Sequence, residues 1–160
     1  MKRITLTLVA SLFFSVTAFA QAGTYTNFGA GCKGSNNVVP ALSNTAVPTI
    51  GKSFTISCSN IKAGAAVGLI TGISNTKWGT GNLPGDLGLV GAPGCKLLVS
   101  MDSVFPLVAN ASGVASLVGN MPNITALIGV TFYQQCLVID PLVNALGMSW
   151  SNGGIGKVGK

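Results

Sequence analysis

The residues in this chain that could do chemistry are few, and the missing types narrow the field as much as those present. The 160-residue sequence has no histidine, and its three acids are all aspartates, Asp86, Asp102 and Asp140. Without histidine or glutamate there is no His-based triad, no imidazole metal centre and no Glu general base. A glycosidase-type carboxylate pair would have to use two of the three aspartates. Each reads instead as turn chemistry: Asp86 lies between Gly85 and Leu87, Asp102 ends a strand, and Asp140 precedes Pro141. Ser53 beside Lys52 is a nominal Ser–Lys nucleophile, but neighbours on a strand point to opposite faces and cannot share a proton. Calcium could find oxygens at Asp140 and Asn144, or at Asp86 and Asn82, yet it usually takes several carboxylates plus carbonyls. Three acids are too few. No catalytic residue, metal or cofactor is expected.

Aromatic side chains offer a different chemistry, stacking against sugar rings. Trp78 and Tyr25 fall in stretches that read as loops, whereas Trp150 and Tyr133 fit the core of a closing hairpin. A lone Trp in a long loop reads first as a plug over the core. Its second reading is a platform for a neutral polysaccharide, with Asn75 and Asn82 as nearby hydrogen-bonding groups.

Four cysteines, Cys32, Cys58, Cys95 and Cys136, complete the reactive set. CxxC spacing and histidine are both absent, which argues against zinc. In an exported chain they imply two disulfides, for which three pairings exist. Cys32 and Cys95 each follow a glycine in loop-like surroundings. Cys58 and Cys136 lie within strands, on faces shared with Phe54 and Ile56 and with Phe132 and Val138. This context ranks Cys58–Cys136 and Cys32–Cys95 first. Each link closes a long loop and contributes on the order of 4 kcal/mol in the chain-entropy treatment.

Export is read from the first twenty residues. Lys2 and Arg3 precede an apolar run from Ile4 to Phe14, and Ala18-Phe19-Ala20 fits a small-x-small cleavage site. A signal peptide at 1–20 leaves a mature chain of 21–160, one domain, secreted to the cell surface, periplasm or medium. Its seven lysines against three aspartates lower the net charge from +6 to about +4. These lysines are scattered and no arginine remains, so no nucleic-acid partner is expected. No mature stretch approaches a transmembrane helix, and the aromatics do not form the two girdles of an outer-membrane barrel. Charged residues are only 8% of the sequence, far below the roughly 25% of ordinary soluble domains. Gly, Ser, Thr and Asn must therefore supply the surface, which suits contact with neutral polymers or self-association.

The elements that position these groups read as strands. Ser53–Ser59 alternates apolar Phe54, Ile56 and Cys58 with Thr55 and Ser57. Residues 65–73 form a second strand, because two interior glycines weaken a helix there. Residues 38–42 read as a short edge strand and 95–101 as a strand with Cys95, Leu97, Val99 and Met101 on one face. Residues 107–109 and 114–118 follow after a bend at Phe105-Pro106. A short helical turn within 121–127 leads to the closing hairpin, 129–139 with 145–151. Gln21–Ser35 reads as an irregular strap and 74–94 as a long excursion. Asn110-Ala111-Ser112 and Asn123-Ile124-Thr125 match the glycosylation sequon but read as turns. Gly153-Gly154-Ile155-Gly156 has no following helix and so makes no phosphate loop. Eight or nine strands with turns every 8–12 residues give an all-β, two-sheet antiparallel sandwich stapled by disulfides.

In this pattern the chain resembles a family of secreted bacterial β-domains of unknown function. The resemblance runs through Gly31-Cys32, the P-x-x-G-x-x-F strand Pro48–Phe54, the L-P-x-x-L stretch Leu83–Leu87, Gly91–Ser100 and Phe132–Gly153. It covers nearly the whole mature chain, and its motifs are turns, cysteines and core residues. It implies a small exported module, often at the end of longer chains, with no catalytic residues to carry over. The family has the first and third cysteines, which implies the link Cys32–Cys95 and makes Cys58 and Cys136 an added pair. The expected role is a non-catalytic extracellular module for attachment or assembly. A neutral-polysaccharide-binding module on Trp78, Asn75 and Asn82 is the first alternative, and a small hydrolase using the aspartates the second.

Overall fold

A computed structural model of the chain describes residues 21–160, so the expected leader and its cleavage after Ala20 lie outside the described residues. Twelve strands follow in order: β1 (Thr24–Phe28), β2 (Ala41–Asn44), β3 (Ser53–Ser59), β4 (Ala66–Gly72), β5 (Lys77–Trp78), β6 (Gly81–Asn82), β7 (Gly85–Asp86), β8 (Lys96–Leu97), β9 (Ser103–Val108), β10 (Ala115–Asn120), β11 (Thr131–Ile139) and β12 (Met148–Lys157). Eight of them build two antiparallel sheets, five strands in the order β1-β12-β11-β4-β9 and three in the order β10-β3-β2. The other four form two ladders of two-residue strands, β5 with β6 and β7 with β8. The eight or nine expected strands thus become twelve, the surplus being β1 in the segment expected as a strap and the two-residue strands β5, β6 and β7 of the excursion. Among the described residues helix is confined to single 3-10 turns at Gly88–Val90 and Thr125–Leu127.

Two cores flank the larger sheet. Leu42, Phe54, Ile56, Cys58 and Ala115 of the three-stranded sheet pack with Val67, Leu69, Cys136 and Val138 of the five-stranded one. On the opposite face, Ile70 and Trp150 pack with Cys32, Ala92, Cys95, Leu97, Leu98 and Val99. The strand alternation follows from this: β3 shows one buried and one wetter face, whereas β11 is buried on both. Each core holds one disulfide. Cys58–Cys136 joins the two sheets and Cys32–Cys95 ties the N-terminal segment to the excursion. This is the pairing that local context ranked first.

Residues 95–101 depart from the expected strand. Only Lys96 and Leu97 are paired, while Leu97, Leu98, Val99 and Ser100 are all buried in succession. A strap lying flat on a sheet without a ladder of its own must find other partners for its peptide groups. Gln135, fully buried on β11, supplies them. Its Oε1 accepts the Leu98 N–H at 2.9 Å, and its Nε2 donates to Lys96 O at 3.0 Å and Ser151 O at 2.8 Å.

The closing hairpin also runs further than expected. β12 continues through Gly153, Gly154 and Gly156 to Lys157, because aromatic rings occupy the space above those glycines. Phe28 covers Gly153, Tyr25 covers Gly154 and Phe132 covers Gly156, each too close for a Cβ. Two of these rings come from the segment read as an irregular strap, which is the edge strand β1, paired with β12 from Thr24↔Lys157 to Phe28↔Gly153. Glycine weakens an isolated strand, so this pairing is visible only once the rings are in place. The expected bend at Phe105-Pro106 is absent as well. Pro106 sits within β9, an edge strand, where a missing N–H is tolerated. Asp140–Gly147 closes the hairpin, with the Asp140 N–H donating to Gly147 O at 2.8 Å.

A bulge sets the last structural contact. Between the pairs Gln135↔Gly153 and Leu137↔Trp150, Ser151 and Asn152 together oppose Cys136. Ser151 Oγ accepts the Cys136 N–H at 2.9 Å. Asn152 is thereby turned toward the other sheet, where its Oδ1 accepts the Leu42 N–H at 2.9 Å and its Nδ2 donates to Leu42 O at 3.2 Å. One side-chain amide stands in for a strand partner of β2. Replacing Gln135 by Leu is expected to strand a peptide N–H and two carbonyls in a dry interior, at about 1–3 kcal/mol per buried group left unmet. Urea unfolding should show a loss of about 3 kcal/mol or more; a loss below about 1 kcal/mol would mean that packing and the disulfide hold the strap alone.

Candidate functional site

The three aspartates all accept hydrogen bonds from turn peptide groups. Asp86 Oδ1 accepts the Gly88 N–H at 2.8 Å. Asp102 Oδ2 accepts the Ile73 N–H at 2.8 Å and the Ser100 hydroxyl at 2.6 Å. Ser100 Oγ in turn accepts the N–H groups of Ile73 and Ser74. Asp140 Oδ2 accepts the Ser35 N–H at 2.6 Å and so joins the N-terminal segment to the closing hairpin. The Ser100 hydroxyl first, and the Ile73 N–H second, hold the Asp102 carboxyl below the usual carboxylate range. For Asp140, desolvation pushes upward, but hydrogen bonds from Ser35 and Leu142 and the charge of Lys62 outweigh it, and the net shift is downward.

The other polar candidates separate in the same way. Ser53 Oγ donates to Asn120 Oδ1 at 2.7 Å across the sheet. Asn144 spends its amide on Met148, donating to the carbonyl at 2.7 Å and accepting the N–H at 3.3 Å. Among the described residues no three acidic, histidine or cysteine side chains gather around a point. Asn110 Oδ1 accepts the N–H groups of Ser112 and Val114, so the first sequon is a side-chain-braced turn.

Trp78 is not a plug over the core. It lies on β5, opposite Gly81, with 46% of its surface exposed. Asn82 pairs with Lys77 in the same ladder and is exposed, and Asn75 is half-buried just before it. The three therefore share one small hairpin. Tyr25 is the opposite case: it lies in β1 rather than in a loop, and its hydroxyl donates to Gln134 Oε1 at 3.0 Å. Burial pushes its phenol well above the ordinary value. Trp150 and Tyr133 pack in the outer core, as expected of the closing hairpin.

Sequence reading did not find the groove of about 400 Å³ at the hairpin end of the molecule. Three segments distant in sequence meet there, around Gly34 and Asn36, around Ile61 and Lys62, and from Val138 through Leu142 to Ser149. A second cleft of about 310 Å³ opens between the sheets at Phe54, Phe105, Leu117 and Phe132. Of the aspartates, only Asp140 lines either one.

The acid response follows from the two depressed carboxyls. A group whose folded pKa lies below its unfolded value of about 3.9 stabilises the fold fully above that value, and the contribution is lost as pH falls through the folded pKa. With no histidine in the sequence, urea midpoints should be nearly flat from about pH 8 to 5 and fall below about pH 4. Asp102→Asn should flatten part of that fall. A midpoint that drops already near pH 6 would contradict this assignment.

Protein-family models, curated proteins and solved structures contain no match to this chain.

Proposed function

We propose that this chain is a secreted, non-catalytic β-sandwich module whose role is structural or adhesive, in surface attachment or assembly. It would then belong with the exported bacterial β-domains whose turn and cysteine pattern it resembles. The observation that carries this reading is the outer edge of the five-stranded sheet. Among the described residues β9 has no partner strand on its far side, and it exposes Val104, Phe105 and Val108 at 45%, 42% and 70%. Val118 on the edge strand β10 adds a further 59%-exposed apolar side chain. Open apolar edges are templates for another strand, and proteins usually blunt them with lysine or proline or cover them; Pro106 blunts the backbone in the middle of β9, so its apolar side chains offer the contact surface. None of the seven lysines outside 1–20 lies on β9. The aspartates support a non-catalytic role, since each is committed to a turn rather than to a shared reaction centre.

Sedimentation velocity over a wide concentration range tests the assembly reading. Self-association is expected, and Val104→Lys with Val108→Lys should abolish it without changing the unfolding free energy from urea titration by more than about 0.5 kcal/mol, as for other surface changes. A wild-type protein that stays monomeric at every concentration would sink the idea.

A second reading, binding of a neutral polysaccharide, is favoured by the exposed Trp78 ring beside Asn82. Retention on insoluble glycan should then be lost in Trp78→Ala while the far-UV spectrum stays unchanged. Equal retention of both proteins, or none, removes this reading.

A further inference from the structure

We propose that the groove around Gly34 binds a small zwitterion, an ammonium group and an anion carried on an apolar body, as in an amino acid with an aliphatic side chain. The inference goes beyond the attachment and assembly role above and rests on neither the β9 edge nor Trp78, so each can fail separately.

The argument starts from Gly34, whose missing side chain leaves a ring of oxygens uncovered. A Cβ placed there would meet Asp140 Oδ2 at 3.1 Å, Asn36 Oδ1 at 3.2 Å and Ser149 Oγ at 3.6 Å, and nothing else nearer. Two of these oxygens, a carboxylate and an amide carbonyl, can only accept. The Asn36 oxygen accepts the Val38 N–H, and the Asp140 carboxylate accepts from Ser35, 105 residues away in sequence, and from Leu142; the two carboxylate oxygens together still have lone-pair capacity left. The third carries the stronger signal. Ser149 is 1% exposed, and its hydroxyl has no hydrogen-bond partner among the described residues. A buried hydroxyl without a partner costs free energy, and this one lines the groove.

The chemistry of the ring selects the ligand. Acceptors that converge beside a negative charge call for a group with several donors and a positive charge, and an ammonium supplies three N–H bonds. The remainder of the groove divides in the same sense. Lys62 lies on its wall and is near enough for its charge to act on Asp140, so one cation and one anion are presented together. Pro40, Ile61, Val138 and Leu142 form the apolar part, with Leu142 80% exposed. Opposite charges flanking aliphatic walls match a net-neutral ligand that is charged at two points. The volume, about 400 Å³, falls within the range of small-molecule sites.

The test uses the mature protein, leucine, and two analogues that each lack one charge, isopentylamine and 4-methylpentanoate. Backbone amide chemical shifts should move for Ser35, Asn36, Lys62 and Ser149 on adding leucine, and the two analogues should bind at least tenfold more weakly. Ser149→Ala should lower leucine affinity about fivefold to tenfold while leaving the urea midpoint unchanged or raised, because it removes an unmet hydroxyl. Lys62→Gln should weaken leucine but not isopentylamine. Leucine with no effect on these amides overturns the proposal. So do equal affinities for all three compounds, or a site that answers to glucose and not to leucine. If Ser149→Ala lowers stability and leaves affinity unchanged, the hydroxyl is structural and the assignment fails.

Discussion

The structure depends on a single buried amide. A sheet covered on both faces needs two layers of apolar side chains, and here the second layer is a strap with almost no backbone pairing of its own. Residues 97–100 lie flat against β4, β11 and β12, buried in succession, which no alternating strand allows. Peptide groups so placed are out of reach of water, and each would be costly if unpaired. Gln135 answers the Leu98 N–H and the Lys96 carbonyl of the strap, and the Ser151 carbonyl of β12, with one planar side chain. An apolar residue would fit the surrounding packing but could not do this. The strap therefore stays in place because a polar group was put at the centre of an otherwise oily interior.

The same device recurs wherever two layers meet at an irregular point. Asn152, turned outward by the bulge at Ser151, offers the Leu42 peptide both an acceptor and a donor. Ser100 and Asp102 together receive the peptide N–H groups that follow β4. Asp140 receives that of Ser35. Hydroxyl, amide and carboxylate side chains thus take the place of ladder hydrogen bonds where strands cannot run on. The low charge content of the chain is consistent with this use, since neutral side chains hydrogen-bond peptides without the desolvation cost of an ion. The two disulfides act differently. One sits in each core and joins elements that hydrogen bonds do not, with sequence separations of 63 and 78 residues.

Function follows from what this scheme leaves over. With Asp86 and Asp102 occupied in turns, what remains is an apolar strand edge, an exposed tryptophan hairpin and the groove at Gly34, where Asp140 keeps acceptor capacity beyond the Ser35 N–H. The groove is the most specific of the three. It alone brings opposite charges, aliphatic walls and a buried hydroxyl without a partner into one place, and it does so where three turns meet.

How much of this was legible in the sequence varies with the range of the interaction concerned. β3 was readable from side-chain alternation, because burial on one face imposes a period of two regardless of the partner, whereas the first half of the closing hairpin, buried on both faces, was readable as an extended run stopped by Asp140-Pro141. The cysteine pairing was readable from local context, and the aspartates from their turn neighbours. The all-β class followed from turn spacing and interior glycine. Other features were not local. β1 and the far half of β12 have no apolar period, since the glycines of one are completed by the rings of the other and of Phe132. The strap at 95–101 read as a strand because its apolar residues fit one face, whereas its burial is set by Gln135, some forty residues away. The groove had no sequence signal at all: Asn36, Lys62, Asp140 and Ser149 are ordinary turn and strand residues until the chain closes. Residue type and period determine which segments are extended and which turn. Only the packing of distant segments decides which polar groups are spent on peptides and which, like the Ser149 hydroxyl, are left without a partner among the described residues.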